Sequence, residues 1–242
     1  MSSTIALITG ANKGIGFETA RGIARAGVHV ILGAREESRA AAAVDRIAAE
    51  GGSAEPLLLD VTDSATISAA AGRIEAVHGR LDILVNNAGI MIDEFDKSPS
   101  QQSLATWRTT FEVNLFGQVA VTNALLPLLH RSPAARIVNV SSVLGSLADS
   151  TDPESEFYDF KIPAYNISKT ALNAWTIHLA HELRGTPIIV NAAHPGFVRT
   201  ELHGVDAPLT PEEGARTSIE LALDVAGVPA GTLVHERAVL AW

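Results

Sequence analysis

Tyr165 and Lys169 stand four positions apart in the stretch Ala-Tyr-Asn-Ile-Ser-Lys that begins at Ala164, so on a helix they share one face. A phenol titrates near ~10 and an ammonium near ~10.4. A fixed positive charge close to the phenol favours the phenolate and lowers its pKa. A tyrosine placed in this way can pass a proton near neutral pH. Alone, the pair is more often a solvated helix contact, so its meaning depends on what the rest of the chain brings to it. The other tyrosine, Tyr158, has Ile162 at the +4 position and Pro163 just beyond, which biases Ile162 away from helix. Tyr165 is the better-placed phenol.

The elements that must position this pair follow from the apolar pattern. Thr4 to Thr9 is a short apolar run that reads as a buried parallel strand. It ends in Gly10-Ala-Asn-Lys-Gly-Ile-Gly16, a glycine turn into a helix from Ile15 to Ala26. Glycines let a backbone turn tightly and approach a pyrophosphate, which then sits at the positive end of the helix dipole. The spacing differs from the usual G-x-G-x-x-G fingerprint. A second strand, Val28 to Gly33, leads to an Ala-rich helix, Glu36 to Glu50, stopped by Gly51-Gly52. A third, Ala54 to Leu59, ends in Asp60-Val61, and Thr62-Asp63 offers caps for a helix stopping at Gly79. Asp60 is equally a contact to an adenine amino group or a helix-entry carboxylate.

Leu81 to Val85 is a fourth strand, delivering Asn86-Asn87-Ala88-Gly89 to the crevice edge. A helical pattern runs from about Ser103 to Leu129 with Asn114 inside it, where an asparagine is usually solvated or a mild defect. Arg136 to Val140 is a fifth strand carrying Ser141-Ser142. Leu144 to Ile162 holds Asp149, Asp152, Glu154, Glu156 and Asp159 with little periodicity and reads as a solvated loop. A helix follows from about Pro163 to Leu183, with proline tolerated in its first turn. Ile188 to Ala193 is a sixth strand ending in His194-Pro195-Gly196-Phe197-Val198-Arg199-Thr200. Thr210 to Val225 is a helix opened by a cap, a proline and early acids, and a last short strand lies around Thr232 to His235. Strand and helix alternate without linker or repeat, so residues 1–242 are expected to form a single α/β domain. Its core is a Rossmann-type doubly wound parallel β-sheet flanked by helices on both faces.

Bulk properties narrow the function. Hydrophobic content of 47% with 19% charged residues is ordinary for a globular chain. A net charge of −9 argues against nucleic acid, whose binders show a basic stripe. No apolar run approaches the ~20 residues of a membrane span and no signal peptide opens the chain, so no membrane is expected. The absence of cysteine fits a reducing compartment, and a cytoplasmic location is expected. The few cations then become informative. At the end of the second strand of a dinucleotide fold an acid binds the ribose 2′-hydroxyl, whereas an arginine accommodates a 2′-phosphate. Here Arg35 stands there and Lys13 sits in the glycine turn, which favours NADP(H) over NAD(H). The dissenting residue is Glu36, twenty positions after Gly16.

Thr9-Gly10-x-x-x-Gly14-x-Gly16, Asn86-Asn87-Ala88-Gly89, Asn114, Ser142, Tyr165-x-x-x-Lys169 and Pro195-Gly196 occur in the order seen in the short-chain dehydrogenase/reductase family, which the chain resembles from residue 4 to about 200. The resemblance implies a nicotinamide-dependent oxidoreductase acting on carbonyls or alcohols. By that resemblance Tyr165 is the acid/base and Lys169 the residue that lowers its pKa and holds the nicotinamide ribose. Ser142, the second of its pair, bonds the substrate oxygen, and Asn114 kinks its helix and supports a water path to the lysine. Gly10, Asn12, Lys13, Ile15 and Gly16 match cofactor contacts in the glycine turn. Asp60, Val61 and Asn87, with Ala88 and Gly89 beside it, match contacts around adenine and its ribose. Pro195, Gly196, Val198 and Thr200 match the loop that grips the carboxamide. Lys13 with Arg35 is similar to the NADPH-preferring carbonyl reductases. Ser142 and Tyr165 are 23 positions apart (165 − 142), wider than in compact members and similar to the insertion of monomeric carbonyl reductases. A monomer or dimer is therefore expected rather than a tetramer.

The expected reaction is hydride transfer from NADPH to a ketone or aldehyde, with Tyr165 protonating the oxygen and Ser142 orienting it. The rivals are an NAD-dependent alcohol dehydrogenase with the same residues and a catalytically silent NADP-binding regulator, which would have no need of a proton relay. No metal is expected: His178 and His181 are three apart with Glu182 after the second, not His-Glu-x-x-His. His194 reads as a packed turn residue, and Trp107, Trp175 and Trp242 as core or interface residues.

Overall fold

The computed structural model describes residues 3–200, 206–223 and 227–242. The first four strands are β1 (Ile5–Thr9), β2 (His29–Ala34), β3 (Ala54–Leu58) and β4 (Ile83–Asn86). Between them lie α1 (Gly14–Arg25), α2 (Glu37–Ala49) and α3 (Ser64–His78). The second half holds α4 (Leu104–Phe111), α5 (Gly117–Leu129), β5 (Arg136–Val140), α6 (Leu147–Thr151), α7 (Pro163–Glu182), β6 (Ile189–Ala193), α8 (Pro211–Leu223), β7 (Leu233–His235) and β8 (Ala238–Leu240). They form one eight-stranded sheet in the order β3-β2-β1-β4-β5-β6-β7-β8. The order reverses at β1, which pairs with both β2 and β4, and such a switch point opens a crevice at the strands' carboxyl ends.

The strands are apolar on both faces because both are covered. Ile5 and Leu7 of β1, Ile31 of β2 and Leu84 of β4 join Ile67 and Ile74 of α3, Val121 and Leu125 of α5 and Leu179 of α7. The alternate residues Ala6, Ile8, Val30, Leu32, Ile83 and Val85 meet Phe17 and Ile23 of α1, Ile47 of α2 and Leu221 of α8. Period-two alternation thus assigns each strand residue to one of two helical layers. The expected caps are in place: the Asp63 carboxylate accepts from Ala65 N at 2.8 Å, and Gly79 ends α3 with φ 72°. Thr210 and Glu213 form a reciprocal capping pair before α8. The end of that helix at Val225 lies outside the described residues.

One expectation is corrected and two gain detail. The helical span from Ser103 to Leu129 holds, with a π-helical turn, Glu112–Phe116, joining α4 to α5. The segment after Ser142 is not simply a solvated loop. Val143–Gly145 is a buried 3-10 turn, α6 follows, and Ala148 N donates to Trp242 O at 2.9 Å, so Trp242 pins the segment. The sheet is parallel only through β7; β8 turns back antiparallel through Glu236 and Arg237 at φ 45° and 68°, the geometry of a two-residue hairpin.

Candidate active site

Parallel strands place Gly10, Asn87, Ser142 and Pro195 at one edge of the sheet, and the glycine turn is clamped there from below. Thr9 Oγ1 accepts from Asn87 N and Ala88 N at 2.9 and 3.0 Å. Asn87 Nδ2 donates to Thr9 O and Gly10 O at 2.8 and 3.2 Å. A Cβ on Gly16 would come within 2.4 Å of Asn87 Nδ2 and 2.5 Å of Gly10 O, so only glycine lets α1 start this close to the turn. Gly10 and Gly14 have φ of 64° and 56°, a backbone glycine adopts freely. The N-cap of α1, Lys13, makes no side-chain cap, and the first turn holds no acid. The helix start therefore presents its N–H groups and dipole to an anion, which fits the pyrophosphate of a dinucleotide.

The remaining cofactor candidates divide by what their side chains do. Arg35 and Lys13 are exposed beside this turn. Glu36 is the N-cap of α2, past the end of β2, and pairs with Arg39 at 2.8 Å. Asp60 Oδ1 accepts from Thr62 N and Thr62 Oγ1 at 2.9 and 2.7 Å, a local turn ahead of Asp63, the N-cap of α3. Val61 is buried against Gly117 and Val198 against Gly214, so both side chains are committed to packing. Asn12, Ile15, Ala88, Pro195 and Gly196 are partly exposed along the crevice or its turn, and Gly89 is exposed. Thr200 Cγ2 lies 3.6 Å from where a Cβ on Gly14 would stand, so the loop after β6 folds over the glycine turn.

At the middle of this edge Ser142, Tyr165 and Lys169 meet. Ser142 stands close enough to the Tyr165 phenol to act on its pKa, and its hydroxyl accepts from Leu144 N at 3.1 Å. Its neighbour Ser141 turns the other way and donates to Asn173 of α7, which resolves which serine faces the phenol. Lys169 Nζ lies 5.6 Å from the Tyr165 ring centre and donates to Val140 O at 2.8 Å. Burial pushes the Tyr165 phenol up to about 12, against the Ser142 hydrogen bond that lowers it. The same burial brings the Lys169 ammonium down to about 8. The expectation that Lys169 lowers the Tyr165 pKa meets an opposing effect here: burial raises the phenol pKa, and Ser142 acts to lower it. The phenol sits among Val143 and Leu144, with Met91, Phe157, Ile162 and Leu240 packed around them.

Asn114 is fully buried, not solvated. Its Oδ1 accepts from Ile90 N at 2.8 Å, and its Nδ2 donates to Ile90 O at 2.9 Å and to Ser168 Oγ at 3.0 Å. This pairing accompanies the π-turn that carries Asn114 and ties the loop after β4 to α7. Gly89 lies in the same corner, where a Cβ would stand 3.5 Å from Asn114 Oδ1 and 3.7 Å from Lys169 Nζ.

Two features escaped the reading of the sequence. The Asp93 carboxylate, 6% exposed, accepts from Ala164 N at 2.7 Å and Tyr165 N at 3.1 Å. It caps α7 from 71 residues away, where a search for caps beside the helix cannot look. Phe157 stacks on Phe197 at 5.9 Å and Phe160 tilts against it at 5.6 Å. Two aromatics in an acidic segment were the one available hint. His194 is a packed turn residue as expected: Val143 N donates to its Nδ1 at 3.3 Å, and its ring lies 4.9 Å from that of His235. Trp175 packs on the core, while His178 and His181 are exposed.

Comparison with known proteins places these geometries in context. The short chain dehydrogenase family matches residues 4–208. Short-chain dehydrogenase anuI of Penicillium roqueforti is 36% identical, with 93% of this chain and 90% of that protein covered. Carbonyl reductase (NADPH) 1 of Bos taurus is 34% identical over 100% of this chain and 99% of its own. The structure of salutaridine reductase from Papaver somniferum superposes with a TM-score of 0.83 at 29% identity, covering 95% of this chain and 99% of that one.

Proposed function

The chain belongs to the short chain dehydrogenase family, and from that premise we propose that residues 1–242 act as one domain that reduces a ketone or aldehyde with NADPH. The observation that carries the reading is the grouping of Ser142, Tyr165 and Lys169, the last one turn along α7 with Nζ 5.6 Å from the Tyr165 ring centre, at the carboxyl edge beside the glycine turn. The reduced nicotinamide, when bound, supplies the hydride. Lys13 and Arg35 hold the 2′-phosphate, the α1 start holds the pyrophosphate, and Lys169 with the Pro195–Thr200 loop holds the nicotinamide end. Glu36, engaged with Arg39, leaves the end of β2 to Arg35, and relatives such as carbonyl reductase (NADPH) 1 support the same cofactor.

Ser142 orients the carbonyl oxygen, and Tyr165 gives it a proton. A phenol pushed up to about 12 keeps its proton at neutral pH, so it is loaded for donation. An alkoxide is a stronger base than a phenolate, and the transfer runs downhill. The oxidation direction would need that phenol ionised, which its burial opposes. The apolar walls from Met91, Phe157, Ile162 and Leu240 suit a hydrophobic carbonyl compound. The acidic, cysteine-free chain fits a cytoplasmic enzyme, and among the described residues no helix is long and apolar enough to cross a membrane. The segment before α7 is read as the feature that keeps the protein a monomer or dimer.

The test is the loss of reduced-nicotinamide absorbance with NADPH and NADH in parallel, against ketones, aldehydes and quinones. Wild type should turn over with NADPH, and Tyr165→Phe should lose turnover while NADPH still binds. Substantial turnover by Tyr165→Phe would overturn the proton role.

A further inference from the structure

At the edge of the sheet opposite Tyr165, three residues far apart in the chain come together. His29 opens β2, Glu55 is the second residue of β3 and His78 ends α3. A ring nitrogen from each histidine and a carboxylate oxygen lie within 4.8 Å of one another. His78 Nε2 stands 2.9 Å from Glu55 Oε1, and the two imidazoles are 5.3 Å apart at a 44° tilt.

The polar contacts around this trio sort into two layers. His29 Nδ1 lies 2.7 Å from Ser53 Oγ, while His29 Nε2 is enclosed and has no hydrogen-bond partner. An enclosed polar nitrogen without a partner is costly to keep. A hydrogen bond on one ring nitrogen fixes the tautomer and orients the other as a ligand, the arrangement that supports metal-bound imidazoles. Arg73 NH2 approaches Glu55 Oε2 at 4.0 Å, so the second carboxylate oxygen faces a cation while Oε1 faces the histidines. The carboxyl end of α3, where His78 sits, carries the negative end of a helix dipole and favours positive charge.

We propose that His29 Nε2, His78 Nε2 and a Glu55 carboxylate oxygen form a zinc site, with water in the fourth position. Two imidazoles and one carboxylate suit a borderline transition ion. They are too few and too nitrogen-rich for calcium or magnesium, which take oxygen shells. Tetrahedral zinc at ~2.0–2.2 Å from each ligand needs ligand atoms roughly 3.3–3.6 Å apart. The His78–Glu55 pair must open slightly from 2.9 Å, and His29 must close in. Side chains only 12% and 23% exposed in His78 and Glu55 are held, yet reachable from solvent. The ion would cross-link β2, β3 and α3 and touch no residue of the reaction, so its effect is on the folded state. A search for ligand pairs on one element cannot find it, since the three residues sit on three elements.

The experiment uses the full chain, stripped of metal and titrated with zinc chloride by calorimetry and thermal melting. Wild type should bind one zinc per chain and gain ~5–10 °C in Tm when zinc is at about 100 times its Kd. Cobalt should give the strong visible bands of a tetrahedral centre. His29→Gln and Glu55→Gln should each lose more than the ~10–100-fold in affinity that even a supporting residue is worth, and Ser53→Ala should lose ~10–100-fold. His178→Gln with His181→Gln, on the exposed face of α7, should change nothing. Absent zinc binding or a purely octahedral cobalt spectrum in wild type would overturn the site, and neither needs a variant to fold. So would zinc affinity indifferent to Glu55→Gln, or abolished by the α7 pair.

Discussion

Asp93→Asn isolates the long-range cap of α7. In wild type one carboxylate accepts from two consecutive backbone N–H groups, those of Ala164 at 2.7 Å and Tyr165 at 3.1 Å. Asparagine retains one oxygen and turns an NH2 toward a donor, so one charge-assisted bond is lost, worth ~1.5–3 kcal/mol. The favourable placement of negative charge at a helix start, ~0.3–1 kcal/mol, goes with it. The sum is about 2–4 kcal/mol, which in a chain of this size lowers Tm by roughly 5–15 °C. Because Tyr165 N is one of the two donors, the first turn of α7 loosens at the residue proposed to donate the proton. A misplacement of ~1 Å costs ~100-fold in rate, so kcat should fall ~10–100-fold while NADPH affinity is kept. Circular-dichroism melts and steady-state kinetics on the same preparation measure both. A Tm within about 2 °C of wild type, well inside the shift expected from the lost bond, would refute the capping argument whatever the kinetics show.

Arg35→Ala should weaken NADPH binding ~10–100-fold, the worth of a lost charge-assisted bond, and leave NADH binding nearly unchanged in fluorescence titration. Equal losses would remove the 2′-phosphate assignment. Reduction needs the phenol protonated and the ammonium charged. With Tyr165 pushed up to about 12 and Lys169 brought down to about 8 by burial, kcat/KM should hold steady through neutral pH and decline as pH rises through about 8. Lys169→Arg, whose guanidinium stays charged, should erase that limb from whatever activity remains; a limb still present would assign it to another group. Gly145→Ala should destabilise by ~1–3 kcal/mol and reduce turnover, because its Cβ would stand 2.7 Å from Lys169 C and 2.8 Å from Thr170 N, both unyielding backbone. Gly72→Ala, with nothing within 4 Å of the added carbon, should stabilise α3 by ~0.5–1 kcal/mol; melting curves of the pair decide the comparison.

Local pattern was enough for the strands, the glycine turn and the Tyr165-x-x-x-Lys169 face, because each depends on residues within a few positions of one another. Apolar runs buried on both sides read as strands, and strict alternation with helices leaves few ways to order them. The candidate site residues could be gathered from the sequence for the same reason: right-handed crossovers deliver every strand end to one edge. Tertiary structure decided what depends on residues distant in sequence. Asp93 reaches α7, Asn114 reaches Ile90 and Ser168, and Trp242 reaches Ala148, and no periodicity reports such pairs. It also decided how strongly burial opposes the charged forms of Tyr165 and Lys169. Their spacing predicts attraction and a lowered phenol pKa, but the cost of desolvating a charge depends on everything packed around it. Met91, Val143 with Leu144, Phe157 with Ile162, and Leu240 supply that surrounding from four separate stretches of the chain, and burial among them raises the Tyr165 pKa.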